Sequence, residues 1–235
     1  MLVEALAYAL SLAATPARFR PHLADAVGLW ARGRRQRAGW QPHLQLTRGH
    51  LSETVNKIER RRTVVVLGSG PLFDVPIEAL AQAFERVVLV DRIHLFSARR
   101  RIARFANVEL AWHDLSTAAG AEPLMFLDDI ADLDWVISLN LLSQLGFGAP
   151  DGREREVIES HLDGLSALCC RVSLVTDLDY ATIDRSGRAS AAFDLLYGRA
   201  MPEAAARWPW HVAPFGEEAR NSRRTHTVAF YPDWR

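Results

Sequence analysis

Short runs of mostly apolar and β-branched residues alternate with helical segments from about residue 60 onward. The five runs span residues 63–67 (TVVVL), 87–90 (VVLV), 108–112 (VELAW), 135–139 (WVISL) and 172–176 (VSLVT). Strands with so few polar residues are typical of parallel sheets, in which both faces are buried. Helical spacing of apolar residues in segments 76–85, 97–105 and 154–168 places helices between them. Asp74 is a candidate N-cap of the first of these helices. The pattern predicts an α/β fold with a doubly wound, mostly parallel sheet.

The two ends of the chain differ from this alternation. Strand-like segments 208–213 and 225–231 are joined by a short polar stretch, which predicts an antiparallel hairpin at the C-terminus. The first 60 residues indicate helices, with breaks at Pro16 and Pro21 and again at Gly33, Gly39 and Pro42. We therefore expect a helical N-terminal extension, residues 1–60, that covers the ligand-binding end of a Rossmann-like domain, residues 61–235.

Composition excludes several other classes of protein. The chain has 235 residues, of which 49% are hydrophobic and 24% charged, a balance typical of a globular domain and not of a disordered chain. No run of about 18 uncharged apolar residues occurs, so we expect no membrane span. The two cysteines, Cys169 and Cys170, are adjacent and fit no metal-ligand spacing. They favour a reducing, cytoplasmic setting and no metal site.

Basic residues are concentrated near the N-terminus. Residues 1–62 carry eleven basic and four acidic side chains, although the whole chain has 28 of each. An arginine cluster in this segment could follow a phosphate backbone while neighbouring indoles stack on bases. Its members are Arg32, Arg34, Arg35 and Arg37, between Trp30 and Trp40. We favour the alternative, a solvated helix face, because the acidic remainder of the chain would repel a polyanion.

Glycines and acids occupy the ends of the predicted strands. Gly68-Ser69-Gly70 follows the first strand, where missing side chains let a ligand approach the backbone. Asp91 ends the second strand, 23 residues after Gly68, close to the spacing at which a carboxylate binds the hydroxyls of an adenosine ribose. Asp114 follows the third strand, where it could contact the adenine edge. Because ligands of open α/β sheets bind at the carboxyl ends of the strands, we expect an adenosine-containing ligand here.

These motifs resemble class I S-adenosylmethionine-dependent methyltransferases. The similarity lies in VVVLGSGPLFD (64–74), VVLVD (87–91), VELAWHD (108–114) and DWVISLNLLSQL (134–145). It implies S-adenosylmethionine as the cofactor, bound by Gly68, Ser69, Gly70, Asp91, Asp114 and Asn140. Asp134 matches the acid that opens the fourth motif in this family, and the terminal hairpin resembles the family's antiparallel last strand.

The chain also departs from the family pattern. Val66 stands where an acid usually precedes the first glycine, and Leu72 replaces the third glycine. The string GSGPL, residues 68–72, is similar to nicotianamine-synthase-like enzymes, which transfer the aminocarboxypropyl group of the same donor. The departures keep a third hypothesis open, a degenerate fold that acts as a binding or partner subunit.

Acceptor-side residues are less defined by the sequence. Asn140 and Asp177 are the catalytic candidates, and Ser143, Gln144, Asp179 and Tyr180 also come after the fourth or fifth predicted strand. None of them forms a known catalytic signature. We expect methyl transfer to a small molecule or a protein side chain, with a nucleic-acid acceptor less favoured and a protein partner left open.

Overall fold

The five predicted parallel strands lie next to one another and form one side of an eight-stranded sheet. The computed structural model describes residues 2–116 and 124–234. Its α-helices are α1 (Leu2–Leu12), α2 (Leu23–Arg35), α3 (Arg37–Val55), α4 (Ile77–Ala83), α5 (Phe96–Ile102), α6 (Leu142–Phe147) and α7 (Glu154–Ser166), with short 3-10 helices at Ala17–His22 and Met125–Leu127. Its strands are β1 (Thr63–Leu67), β2 (Arg86–Asp91), β3 (Val108–Trp112), β4 (Leu133–Leu139), β5 (Arg171–Asp184), β6 (Phe193–Asp194), β7 (Ala206–Ala213) and β8 (Ser222–Tyr231).

The strand order is β3-β2-β1-β4-β5-β8-β7, and β6 pairs with β5. Strands β1 to β5 pair in parallel, whereas β8 runs antiparallel to both β5 and β7. The doubly wound fold and its antiparallel C-terminal hairpin are therefore confirmed. The order of the strands reverses between β1 and β4, and such a reversal opens a crevice at the carboxyl ends of the strands.

Strand β1 lies at the centre of the core. All five of its residues are buried. Val64 and Val66 belong to the apolar cluster that includes α3, α4 and α5, whereas Val65 and Leu67 belong to the cluster that includes α6 and α7. Successive side chains of a strand point to opposite faces, so an unbroken apolar run is required when helices cover both faces.

The N-terminal extension is helical, and the predicted break between its second and third helices lies at Gln36, not at Gly33, Gly39 or Pro42 themselves. Helix α2 contains Gly33, and α3 runs through Gly39 and Pro42. Pro42 is exposed, whereas Trp40 and Leu51 on the same helix are buried. Tertiary burial of one helix face thus outweighs the local cost of glycine and proline.

Strand β5 is much longer than the predicted five residues. Its first part pairs with β4 up to Val175, and the strand then continues to Asp184 as an antiparallel partner of β8. The register shifts between Asp177 and Asp179, at a bulge. The sequence predicts that Asp177, Asp179 and Tyr180 follow the fifth strand. In the structure all three lie within β5.

Helix α6 was not predicted, and it carries Ser143 and Gln144 directly after β4.

Among the described residues, we find no helix with the length and apolar character that crossing a membrane requires. The division into an extension, residues 1–60, and a domain, residues 61–235, stays a prediction.

Candidate active site

A cavity of about 520 Å³ opens at the carboxyl ends of β1, β2 and β4, where the strand order reverses. The glycine turn after β1 and Asp91 at the end of β2 line one side of it. Side chains of α2 and α3, among them Leu29 and Trp40, line another. The N-terminal helices therefore cover this end of the sheet, as the sequence led us to expect. The volume is within the range of small-molecule binding sites.

The two glycines of the turn have different roles. Gly68 (φ +77°) and Gly70 (φ +48°) both adopt left-handed backbone conformations. A Cβ atom at Gly68 would lie 2.8 Å from the carbonyl oxygen of Leu139, whereas a Cβ atom at Gly70 would meet only the Gly68 oxygen, at 4.0 Å. Gly68 is therefore required by the chain itself, and Gly70 keeps the cavity beside it free of a side chain.

Asp91 lies beside this turn and lines the cavity. Its Oδ2 accepts the backbone N–H of Gly70 at 2.8 Å, and its Oδ1 accepts the backbone N–H of Ile93 at 3.2 Å. Each carboxylate oxygen has two lone pairs, so both retain capacity for a further donor. Asp91 thus holds the turn in place and can still accept hydroxyl groups of a ligand.

Two other predicted cofactor residues do not line the cavity. Ser69 is fully buried within the turn. Asp114 is exposed, accepts hydrogen bonds from the Nε of Arg92 at 2.8 Å and from the hydroxyl of Ser116 at 2.7 Å, and so closes the turn after β3. A role of either residue in binding stays a prediction.

Asp134 lies at the opposite end of its strand from the cavity. It is the second residue of β4 and accepts hydrogen bonds from the backbone N–H and the guanidinium of Arg62. The side chain of Arg62 also pairs with Asp132. Asp134, which matches the acid that opens the fourth family motif, therefore links strand β4 with the segment that precedes β1.

Asp74 and Asn140 meet in the cavity wall. The amide Nδ2 of Asn140 donates to Oδ2 of Asp74 at 2.6 Å, which links the loop after β1 to the end of β4. Asn140 has a φ of +48°, a conformation that asparagine tolerates better than most residues. Its Oδ1 is buried and has no hydrogen-bond partner among the described residues. The expected capping of α4 by Asp74 is wrong, because that helix has no side-chain cap.

Burial raises the pKa of Asp74 to about 6, although the hydrogen bond from Asn140 acts in the opposite direction. The folded protein therefore binds this proton more tightly than the unfolded chain between about pH 4 and pH 6. The resulting stabilisation is complete below that window and is lost as the pH rises through 6. Keeping a costly ionisable group in a cavity is typical of functional sites.

We expect Asp74→Asn to raise the melting temperature at pH 7.5 by about 3 °C and to leave it nearly unchanged at pH 4, because the amide needs no proton to be neutral. Thermal unfolding of both proteins at the two pH values measures this. A variant that is equally destabilised at both pH values would contradict the raised pKa of Asp74.

Asp177 and His226 form a buried pair across β5 and β8. The Nδ1 of His226 lies 3.1 Å from Oδ2 of Asp177, which also receives a longer contact of 3.4 Å from the hydroxyl of Ser143. Oδ1 of Asp177 and Nε2 of His226 are buried and have no hydrogen-bond partner among the described residues. All three residues line the cavity.

His43 of α3 contributes a second histidine. Its Nδ1 accepts the indole N–H of Trp208 at 3.0 Å, and burial lowers its pKa to about 3. A neutral imidazole with an accepting Nδ1 carries its proton on Nε2. The ring stacks on Trp210 at a centroid distance of 4.1 Å, and the Nε atoms of His43 and Trp210 have no hydrogen-bond partner among the described residues. Two buried N–H donors therefore belong to cavity-lining side chains.

The remaining predicted residues divide into two groups. Gln144 lines the cavity and donates to the backbone oxygen of Asn140 at 2.9 Å. Asp179 accepts the hydroxyl of Thr227 at 2.8 Å, and Tyr180 stacks on His226, but neither lines the cavity. Asp179 and Tyr180 therefore support β8 from the side of β5.

The arginine cluster is largely engaged by the loop between β7 and β8. Arg35 donates to Glu217 at 2.7 Å, and Arg32 donates to Glu218 at 3.1 Å. Trp40 is buried and donates to a backbone oxygen of β7 at 3.0 Å, so its indole face is not free to stack on bases. These ion pairs hold α2 against the C-terminal hairpin.

We expect the protein to show no saturable binding to a tRNA pool or a short duplex, because Arg32 and Arg35 already have carboxylate partners. A protein that contacted six phosphates would lose about a thousandfold in affinity between 50 and 200 mM salt. Gel-shift titrations at both salt concentrations test this. Salt-sensitive retention that disappears when the four cluster arginines become alanine would make nucleic acid the substrate.

The similarity of the chain to known proteins is low. No protein-family model and no curated protein matches the chain. Similar solved structures include the N-methyltransferase NodS from Bradyrhizobium japonicum WM9 with S-adenosyl-L-homocysteine, at 14% identity and a TM-score of 0.43, covering 80% of this chain and 87% of that one. A DhpI complex with the same ligand has 17% identity and a TM-score of 0.43, covering 89% and 96%. The Burkholderia thailandensis 1,6-didemethyltoxoflavin-N1-methyltransferase has 15% identity and a TM-score of 0.46, covering 88% and 85%.

Proposed function

We propose that the protein transfers a methyl group from S-adenosylmethionine to a small molecule. The observation that carries this proposal is a single cavity that joins the glycine turn and Asp91 to a wall of buried polar side chains. Methyl transfer depends chiefly on holding the acceptor in line with the methyl group, so both molecules must share one space. The cavity provides such a space.

The residues at one end of the cavity fit the donor. The backbone at Gly70 leaves open space that a side chain would fill, and Asp91 has free acceptor capacity for two ribose hydroxyls. When bound, S-adenosylmethionine supplies an activated methyl group on a sulfonium. The protein's part is to bind the adenosine, to position the acceptor and to exclude water.

The charge of the cavity agrees with a cationic donor. Its described lining contains four carboxylates, of Asp25, Asp74, Asp91 and Asp177, but a single arginine, Arg92. That arginine is already paired with Asp114. Uncompensated carboxylates attract a sulfonium and an ammonium group and disfavour an anionic ligand.

The other two hypotheses are distinguished by their products. Aminocarboxypropyl transfer would release methylthioadenosine, whereas methyl transfer releases S-adenosylhomocysteine. A partner subunit would release neither. Mass spectrometry of S-adenosylmethionine incubated with the protein and a panel of small amines and phenols separates the three.

We expect Asp91→Asn to weaken the binding of S-adenosylhomocysteine by about ten- to a hundredfold. The amide oxygen can still accept the N–H of Gly70, but the charge and the second acceptor for the ribose are lost. Isothermal calorimetry measures the change. Glu109→Gln, at an exposed carboxylate on β3 that pairs with Arg86, is the matched control and should bind like the wild type.

We further propose that residues 1–60 form the cover of this domain and that the protein works in the cytoplasm. The first proposal is supported by the α2 and α3 side chains in the cavity lining. The second is supported by the two cysteines, Cys169 and Cys170, which are adjacent in sequence and fit no metal-ligand spacing.

A further inference from the structure

The Asp177–His226 pair combines an oriented imidazole with a nitrogen that has no hydrogen-bond partner among the described residues. A carboxylate oxygen only accepts hydrogen bonds, so Nδ1 of His226 donates to Oδ2 of Asp177 across 3.1 Å. In the neutral ring, Nε2 is then the unprotonated nitrogen. This atom has no partner within residues 2–116 and 124–234, and His226 lines the cavity, so Nε2 can accept a proton from a molecule bound there.

The surrounding rings hold the imidazole in one orientation. Tyr180 lies opposite His226 in the β5–β8 register and stacks on it at 5.5 Å. Trp210 approaches it edge-on, with ring centroids 5.9 Å apart, and itself stacks on His43. An imidazole fixed by a carboxylate on one nitrogen and by aromatic rings on its sides has the arrangement of a general base.

We propose that His226, positioned by Asp177, accepts the proton of the methyl acceptor through Nε2. This inference rests on the proposed function. A lone pair of the acceptor's nitrogen or oxygen forms the new bond to the methyl carbon of S-adenosylmethionine, and the carbon–sulfur bond breaks with its electron pair remaining on sulfur. The proton of the acceptor's N–H or O–H group passes to Nε2, and the Asp177 carboxylate stabilises the imidazolium.

The side chains that line the cavity also indicate the class of acceptor. Trp210 and Phe73 give the cavity flat apolar surfaces, which suit a planar ring. The Nε2–H of His43 and the indole N–H of Trp210 can donate to a carbonyl or similar oxygen. Since Asp74 and Asp177 line this region, an acidic substrate is disfavoured. The acceptor is therefore a small, uncharged or cationic ring compound with an N–H or O–H nucleophile.

The first test reads the tautomer of His226 directly. Nitrogen-15 NMR of histidine-labelled protein, with the signal assigned by its loss in His226→Phe, should show the proton on Nδ1 when the ring is neutral. Asp177→Leu, which removes the acceptor but keeps the volume, should populate both tautomers. A wild-type ring protonated on Nε2, or a ring unaffected by Asp177→Leu, would overturn the proposal.

The second test uses matched probes on the intact protein saturated with S-adenosylhomocysteine. The probes are para-cresol, which stays uncharged at neutral pH, and the isosteric para-xylene, compared by equilibrium dialysis. We expect about a tenfold preference for the phenol, lost in His226→Phe and kept in His211→Phe, an exposed histidine outside the cavity lining. A preference that is absent, or that survives His226→Phe, would contradict a proton-accepting role.

The proposed function and the role of His226 can be overturned separately. If S-adenosylhomocysteine does not bind the wild-type protein, the proposed function fails, and the proton-transfer proposal fails with it, whatever the tautomer. If it binds to the wild type and to His226→Phe alike but the phenol preference is missing, only the role of His226 is overturned.

Discussion

Gly70→Asn should reduce the binding of S-adenosylhomocysteine by at least a hundredfold while the protein stays folded. Asparagine tolerates the left-handed conformation that Gly70 adopts at a φ of +48°, so the backbone cost is small. Gly70 lines the cavity, and the added side chain would extend into the open space beside it, where the ligand is expected to bind. Calorimetry and circular dichroism of the variant measure binding and folding.

Gly187→Asn is the matched control for this substitution. Gly187 has a φ of +87° and no atom within 4 Å of an added Cβ, and it does not line the cavity. It should bind the ligand like the wild type. Unchanged binding by Gly70→Asn would show that the turn does not face the donor, and an unfolded Gly70→Asn would assign the glycine to the chain's geometry alone.

Gly68→Ala should lower the free energy of unfolding by about 3 kcal/mol. The added Cβ would lie 2.8 Å from the Leu139 oxygen, a backbone atom that cannot move without disturbing β4, and the φ of +77° adds strain. Urea denaturation measures the change.

For comparison, Gly39→Ala should raise the free energy of unfolding. Gly39 lies inside α3 with no atom within 4 Å of an added Cβ, so alanine should stabilise the helix by up to about 1 kcal/mol. If Gly68→Ala were as stable as the wild type, the close approach between the turn after β1 and the end of β4 would be wrong.

The central fold could be predicted because its strands carry a signal that no other element shares. In the run 63–67 every residue is buried and the last four are apolar, as expected of a strand covered on both faces. The helix α3 was misjudged because Gly39 and Pro42 are local signals, whereas the burial of Trp40 depends on β7, far along the chain. The second half of β5 was missed because its pairing depends on β8.

The donor side of the candidate site was more predictable than the acceptor side. Gly70, Asp91 and Asn140 follow strand ends, and the fold brings all three to the cavity. His43 and His226 were missed because they come from α3 and β8, 183 residues apart, and no spacing in the sequence relates them. Asp74 was taken for a helix cap because its partner, Asn140, is distant in sequence.

Calorimetric titration of the intact protein with S-adenosylhomocysteine tests the central claim most directly. The open space at Gly70 and the free acceptor capacity of Asp91 predict saturable binding of one ligand per chain with a micromolar dissociation constant. An absence of binding heat at millimolar ligand, with the protein folded and the temperature varied to avoid a zero enthalpy, would contradict it.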